Sequence, residues 1–149
     1  MKILYVDMDG VLVDPNSALT KLSSEIKEKY KNNIYDAPGF FALMDPLPDA
    51  IDSYKYLCKK FDTYILTAAP WNNPTAANDK IDWIQKYLNE EAYKRVIISH
   101  NKNLNSGDYL IDDKLRNGVD KFKGTHIHFG TEIYPDWKSV ISFLDKEIS

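Results

Sequence analysis

Five short apolar runs divide the chain: KILYV (2–6), TYILTA (63–68), RVIIS (95–99), YLID (109–112) and THIHFG (125–130). Each has the length of a strand and is rich in β-branched or aromatic residues. The segments between them show helical spacing. Residues 17–30 place Leu19, Leu22, Ile26 and Tyr30 at intervals of three and four. Residues 49–60 do so with Ile51, Tyr54, Leu57 and Cys58 behind Asp49 as an N-cap. Two more helices are predicted, over 78–93 (Ile81, Ile84, Tyr87, Leu88) and 136–146 (Trp137, Val140, Ile141, Leu144). Strands that alternate with helices predict an α/β fold, a Rossmann-like parallel sheet covered by helices on both faces. One stretch interrupts the alternation. Residues 15–48 hold a predicted helix and then DAPGFFALMDPLP, whose prolines and glycine signal irregular chain. The expectation is one domain, 1–149, with 15–48 as a small helical cap inserted after the first strand.

Composition narrows the function without naming it. At 149 residues the chain has the size of one domain and can bury a real core. A formal net charge of -3 argues against a nucleic-acid polymer as partner, which calls for a basic stripe. No apolar run approaches a membrane span, so no membrane partner is expected. The apolar stretch after Lys2 is broken by Asp7 and Asp9, unlike a signal peptide. A single cysteine, Cys58, excludes an internal disulfide and points to a cytoplasmic location.

The chemistry is concentrated where the strands end. In open parallel sheets, ligands bind beyond the carboxyl ends of the strands. Asp7 and Asp9 end the first strand, Thr67 the second, and Asp112 and Asp113 the fourth. Four carboxylates delivered to one edge call for a hard divalent cation, and Mg²⁺ is the usual choice. A calcium EF-hand also begins D-x-D, but its glycine and glutamate positions are occupied here by Leu12 and Ala18. The chain has neither a P-loop nor a G-x-G-x-x-G motif. Gly10 directly after the D-x-D lets the chain turn away beneath a bound phosphate.

DMDGVLVD (7–14) resembles the first motif of the haloacid-dehalogenase-like (HAD) phosphohydrolases, with Thr67, Lys80 and LIDD (110–113) following in the family's order. Within that superfamily the chain is similar to the 5'(3')-deoxyribonucleotidases through FFALMDPLPDA (40–50), ILTAAP (65–70), KIDWIQKYL (80–88) and DYLIDD (108–113). It departs from the pattern at Ala68, where a hydroxyl is common, and at Lys114, where arginine is expected.

The resemblance implies a phosphatase that releases phosphate from a small phosphomonoester, with a deoxyribonucleoside monophosphate favoured. Asp7 is then the nucleophile that becomes an aspartyl-phosphate, and Asp9 the general acid and base. Thr67, Ala68 and Lys80 receive the phosphoryl group. Mg²⁺ is held by Asp7, Asp113 and the backbone carbonyl of Asp9, while Asp112 orients a water or Lys80. Tyr35, Phe40 and Phe41 are candidates to stack a nucleobase, and Trp71 to line the pocket. His126 and His128 alternate on a strand with no third ligand and are assigned a structural role. The alternative within the superfamily is a sugar phosphatase. A receiver-type signalling module is disfavoured, because receivers place the acidic pair after the first strand, the acceptor after the third and the lysine after the last.

Overall fold

The computed structural model describes residues 1–148. In chain order it contains β1 (Ile3–Val6), β2 (Val13–Asp14), α1 (Pro15–Leu19), α2 (Ser24–Lys29), β3 (Asp45–Pro46), α3 (Ala50–Cys58) and β4 (Asp62–Thr67). These are followed by α4 (Ala76–Leu88), β5 (Val96–Ile98), β6 (Tyr109–Asp112), β7 (Thr125–His128) and α5 (Trp137–Glu147). The main sheet has the order β5-β4-β1-β6-β7, and every pairing in it is parallel. The chain therefore runs outward from β1 in one direction, then returns to β6 on the other side. The crevice between β1 and β6 is the topological switch point, where such sheets bind ligands. No helix among the described residues is long and apolar enough to cross a membrane.

The predicted parallel sheet is present, but its two faces are not covered alike. Leu4, Val6, Ile65, Ile111 and Ile127 share one core with Tyr54 and Leu57 of α3, Trp83 and Ile84 of α4, and Val140 and Leu144 of α5. The opposite face is a smaller cluster of Tyr5, Leu66, Leu110 and Val119, closed by Ile3, Tyr64, Ile97 and Phe122. Short connections explain the difference. Residues 99–108 and 113–124 join β5 to β6 and β6 to β7, and each holds only a 3-10 turn, at Lys102–Leu104 and Val119–Lys121. Rings and turns cover that face where helices were expected.

Local capping explains two further departures. The helix predicted over 17–30 is two short ones, because Ser23 starts a new helix by accepting the Ile26 N–H at 3.2 Å. Asp49 does not cap α3; it sits at φ 65 with no side-chain bond to the helix. Residues 15–44 leave and rejoin the sheet through the antiparallel pair β2–β3, with Val13 opposite Pro46. Their Ala37, Phe40, Phe41 and Met44 belong to the same core as the sheet. The Trp83 indole N–H donates to the Met44 carbonyl at 2.9 Å, and the Asn73 amide donates to the carbonyls of Tyr35 and Ala37 at 2.8 and 2.9 Å. The segment is thus tied to the loop after β4 and to α4.

Candidate active site

Strand pairing brings the first two carboxylates together. Val6 lies opposite Ile111, and the Asp7 N–H donates to the Ile111 carbonyl at 2.9 Å, so Asp7 sits beside Asp112 at the switch point. Beyond Asp7 the chain folds back sharply. The Met8 carbonyl accepts from the N–H groups of Val11, Leu12 and Val13 at 3.1, 2.8 and 3.0 Å. Gly10 makes this turn possible at φ 76, and a Cβ there would lie 2.2 Å from Oδ2 of Asp113. Gly10→Ala should therefore lower stability by about 1–3 kcal/mol through backbone strain. The same Cβ would force the Asp113 carboxylate to move aside. Urea unfolding checks the loss of stability.

Two buried lysines organise the acidic groups. Lys102 Nζ, 3 % exposed, donates to Asp7 Oδ1 at 2.9 Å and to Asp112 Oδ2 at 2.6 Å. Lys80 Nζ, fully buried, donates to Asp9 Oδ2 at 2.9 Å and to the Thr67 hydroxyl oxygen at 2.8 Å, with the Phe41 ring centroid 4.6 Å away. Burial pushes the Asp7 carboxyl up to about 6; Lys102 opposes that rise, while Asp112 and Asp9 add to it. Asp113 is also pushed up to about 6, by burial and then by the Asp7 charge. Burial likewise raises Asp112, against the pull of Lys102. Burial alone would lower Lys102, but the Asp7 and Asp112 carboxylates outweigh it and hold the ammonium above its ordinary value.

The carboxylates still exceed the cations that face them. Oxygens of Asp7, Asp112 and Asp113 all lie within 4.8 Å of one another. Asp9 Oδ1 and Asp113 Oδ1 are buried without a hydrogen-bond partner. Unsatisfied carboxylate oxygens out of contact with water are costly unless a cation reaches them. An all-oxygen donor set with excess negative charge suits Mg²⁺. The cluster lies in a cavity of about 760 Å³, whose walls include Tyr35, Ala68, Trp71, His100 and Arg116.

Comparison with known proteins places this geometry in a family. The family model described as 5' nucleotidase, deoxy (pyrimidine), cytosolic type C protein matches residues 20–136. A Vibrio phage KVP40 protein provisionally named 5'(3')-deoxyribonucleotidase is 50 % identical over 145 residues, covering 97 % of this chain and 85 % of the relative. The chain belongs to the 5'(3')-deoxyribonucleotidase family. The human protein named 5'(3')-deoxyribonucleotidase, cytosolic type, is 27 % identical over 141 residues, with 74 % of this chain and 70 % of that protein aligned. The fold resembles that of the provisionally assigned HAD-hydrolase YfnB of Bacillus subtilis, a structure bound to magnesium. The TM-score is 0.66 at 12 % identity, over 97 % of this chain and 98 % of that one.

In this deoxyribonucleotidase-family chain, the sequence-predicted residues fall into three groups. Asp7, Asp9, Asp112 and Asp113 meet in one cavity with Ala68 and Tyr35 on its wall. Thr67 and Lys80 lie beneath, fully buried and bonded to each other. Phe41 is not on the wall. It is 2 % exposed, packed between Phe40 and Tyr35 and against the Lys80 ammonium, so no face of it is open to a base. Phe40 is buried equally, at 1 %.

Lys80 also pairs differently from the expectation: it holds Asp9, whereas Asp112 and Asp7 are held by Lys102. Sequence reasoning missed Lys102. Its only signal is a lysine ten residues before Asp112 in an otherwise polar loop. His126 and His128 stack with centroids 4.9 Å apart. Their Nε2 atoms lie 2.9 Å from the Asp112 carbonyl and 3.1 Å from the Asp113 carbonyl, bracing the backbone that carries the acidic pair.

Proposed function

We propose that the protein is a Mg²⁺-dependent phosphatase of deoxyribonucleoside monophosphates, acting through an aspartyl-phosphate on Asp7. The observation that carries this proposal is Asp7 itself: in a chain of this family, a buried carboxylate faces a nucleotide-sized cavity with Lys102 beside it. In the first step an Asp7 oxygen attacks phosphorus in line as the bond to the leaving oxygen breaks, and Asp9 protonates that oxygen. In the second, Asp9 takes a proton from water, and the water displaces phosphate from Asp7. Lys80 engages only Oδ2 of Asp9, which leaves Oδ1 for proton transfer. Lys102 and the Ala68 backbone, both on the cavity wall, would face the phosphoryl oxygens, with the Thr67 hydroxyl behind them accepting from Lys80. Positioning and charge neutralisation then supply most of the catalysis.

Asp7, Asp113 and the Asp9 carbonyl would hold Mg²⁺, with Asp112 close behind. When bound, the ion would neutralise charge so that an anionic nucleophile can meet an anionic substrate. With Cys58 unpaired, the chain fits a reducing cytoplasmic setting.

Metal and pH dependence are linked. Asp7 and Asp113 are both raised to about 6, and both must ionise to hold the ion. Mg²⁺ affinity should therefore fall as pH drops through 6, by about tenfold per pH unit for each proton that must leave. Without metal the sign reverses. A carboxyl raised on folding binds more protons in the folded state, so stability in chelator should decline as pH rises from about 4 to above 6. Calorimetric Mg²⁺ titrations and melting in EDTA between pH 4.5 and 7.5 check both slopes.

The test of function is phosphate release from dUMP, dTMP, UMP and glucose 6-phosphate, with and without EDTA. The expected result is a Mg²⁺-dependent preference for the deoxynucleotides. Full activity in EDTA would exclude the metal, and equal kcat/KM for glucose 6-phosphate would exclude the nucleotidase assignment.

A further inference from the structure

Trp71 is 88 % exposed on the cavity wall, whereas the chain's other tryptophans, Trp83 and Trp137, are 4 % and 1 % exposed. An indole carries one of the largest apolar surfaces of any side chain and normally buries it in a core. This one is left open beside the phosphatase carboxylates.

The turn that carries Trp71 is held in place. The Asn73 N–H donates to the Pro70 carbonyl at 3.1 Å, closing a tight turn around Trp71. The Asn73 amide, 6 % exposed, is anchored to the carbonyls of Tyr35 and Ala37. The Thr75 hydroxyl donates to Asp79 at 2.7 Å and accepts the Gly39 N–H at 2.8 Å. The His100 ring lies 6.1 Å from the indole at 70°, bordering it from the loop after β5.

Reach and elimination both favour Trp71 as a contact for the substrate. It lies three positions after Ala68, so the two Cα atoms are at most about 11 Å apart, within the span of a nucleoside monophosphate. Phe40 and Phe41 have no accessible ring face, at 1 % and 2 % exposure. The Tyr35 ring already packs against both of them.

We infer that Trp71, bordered by His100, is the platform on which the substrate's nucleobase stacks. Discrimination between a nucleotide and a bare sugar phosphate then resides in the loop after β4 and not in residues 15–48. This inference rests on the nucleotidase assignment above. An aromatic ring fits any base, so the platform would favour nucleotides as a class, with finer selection left to polar groups around the cavity.

The test compares dUMP with 2-deoxyribose 5-phosphate, which is the same phosphate and sugar without the base. In the wild-type protein with Mg²⁺, the kcat/KM ratio should strongly favour dUMP. Trp71→Ala should reduce that ratio about ten- to a hundredfold, the usual effect of losing one stacked base. Trp71→Phe, which keeps a flat ring, should retain most of it. Trp71 is exposed, so neither variant should lose its fold, and circular dichroism checks this. Binding gives a second readout: deoxyuridine should quench tryptophan emission in the wild type and not in Trp71→Ala. An unchanged ratio in Trp71→Ala, or an equal fall for both substrates, would overturn the platform while leaving the nucleotidase assignment intact. A wild-type ratio near one would instead overturn the nucleotidase assignment, and the platform with it.

Discussion

Asp7→Asn should reduce turnover by about 10⁴-fold or more while leaving the protein folded. The amide has nearly the shape of the carboxylate, and its oxygen can still accept from Lys102 Nζ, which now lies 2.9 Å from Asp7 Oδ1. What it cannot do is attack phosphorus, and replacing a covalent nucleophile removes most of an enzyme's rate. The substitution also removes a carboxyl whose burial raises it to about 6, so in EDTA at neutral pH the melting temperature should not fall. Stabilisation by added Mg²⁺ should shrink, because Asp7 is one of the ligands proposed for the ion. Activity within a few-fold of wild type would show that phosphate is transferred to another residue. Phosphate trapped by acid quench on wild type and absent from the variant gives independent evidence for the nucleophile.

The second large effect is expected at Lys102. Among the described residues, its ammonium is the cation that pairs with two buried carboxylates, Asp7 at 2.9 Å and Asp112 at 2.6 Å. Lys102→Met keeps much of the side-chain bulk but leaves Asp7 and Asp112 without that charge. Breaking a buried ion pair from one side costs about 3–5 kcal/mol. The loss should be largest at neutral pH and in chelator, and smaller with saturating Mg²⁺, whose charge partly substitutes. Turnover should suffer on two counts. A donor near the phosphoryl group disappears, which typically costs about 10²–10³-fold. Asp7, no longer held down by Lys102, should also titrate at higher pH, moving the rising limb of the pH–rate profile upward. Equal stability and an unshifted profile would show that Lys102 is only a spacer. The same measurements on Lys80→Met separate the two lysines, since Lys80 contacts Asp9 and should leave the Asp7 limb nearly in place.

The two lysines also illustrate how far sequence reasoning reached. DMDG and LIDD stand out because each ends an apolar run with charged residues, a pattern with no use in a core and a clear use at a sheet edge. The strand pattern and the parallel sheet follow from the same runs, and the family resemblance follows from motif order. Lys80 is legible because it follows Thr67 in the family's motif order and opens KIDWIQKYL. Lys102 lies in NKNLNSGD, where periodicity says nothing and polar residues are ordinary. The aromatic residues misled for a related reason: FFALM looks like a loop available to a ligand, yet its phenylalanines fill the core between residues 15–44 and α4.

By itself, the sequence determined the α/β class, the five strands of the main sheet and the placement of four carboxylates at strand ends, because alternation of apolar runs and their charged ends is a local, one-dimensional property. Three things were decided only by tertiary structure. Which lysine neutralises which carboxylate depends on the approach of a loop after β5 to the end of β1, across 95 residues of chain. Whether a ring is core or wall depends on what packs over it, as burial of Phe41 and exposure of Trp71 show. How far each carboxyl is raised depends on burial and neighbouring charge, which arise only when β1 and β6 pair side by side.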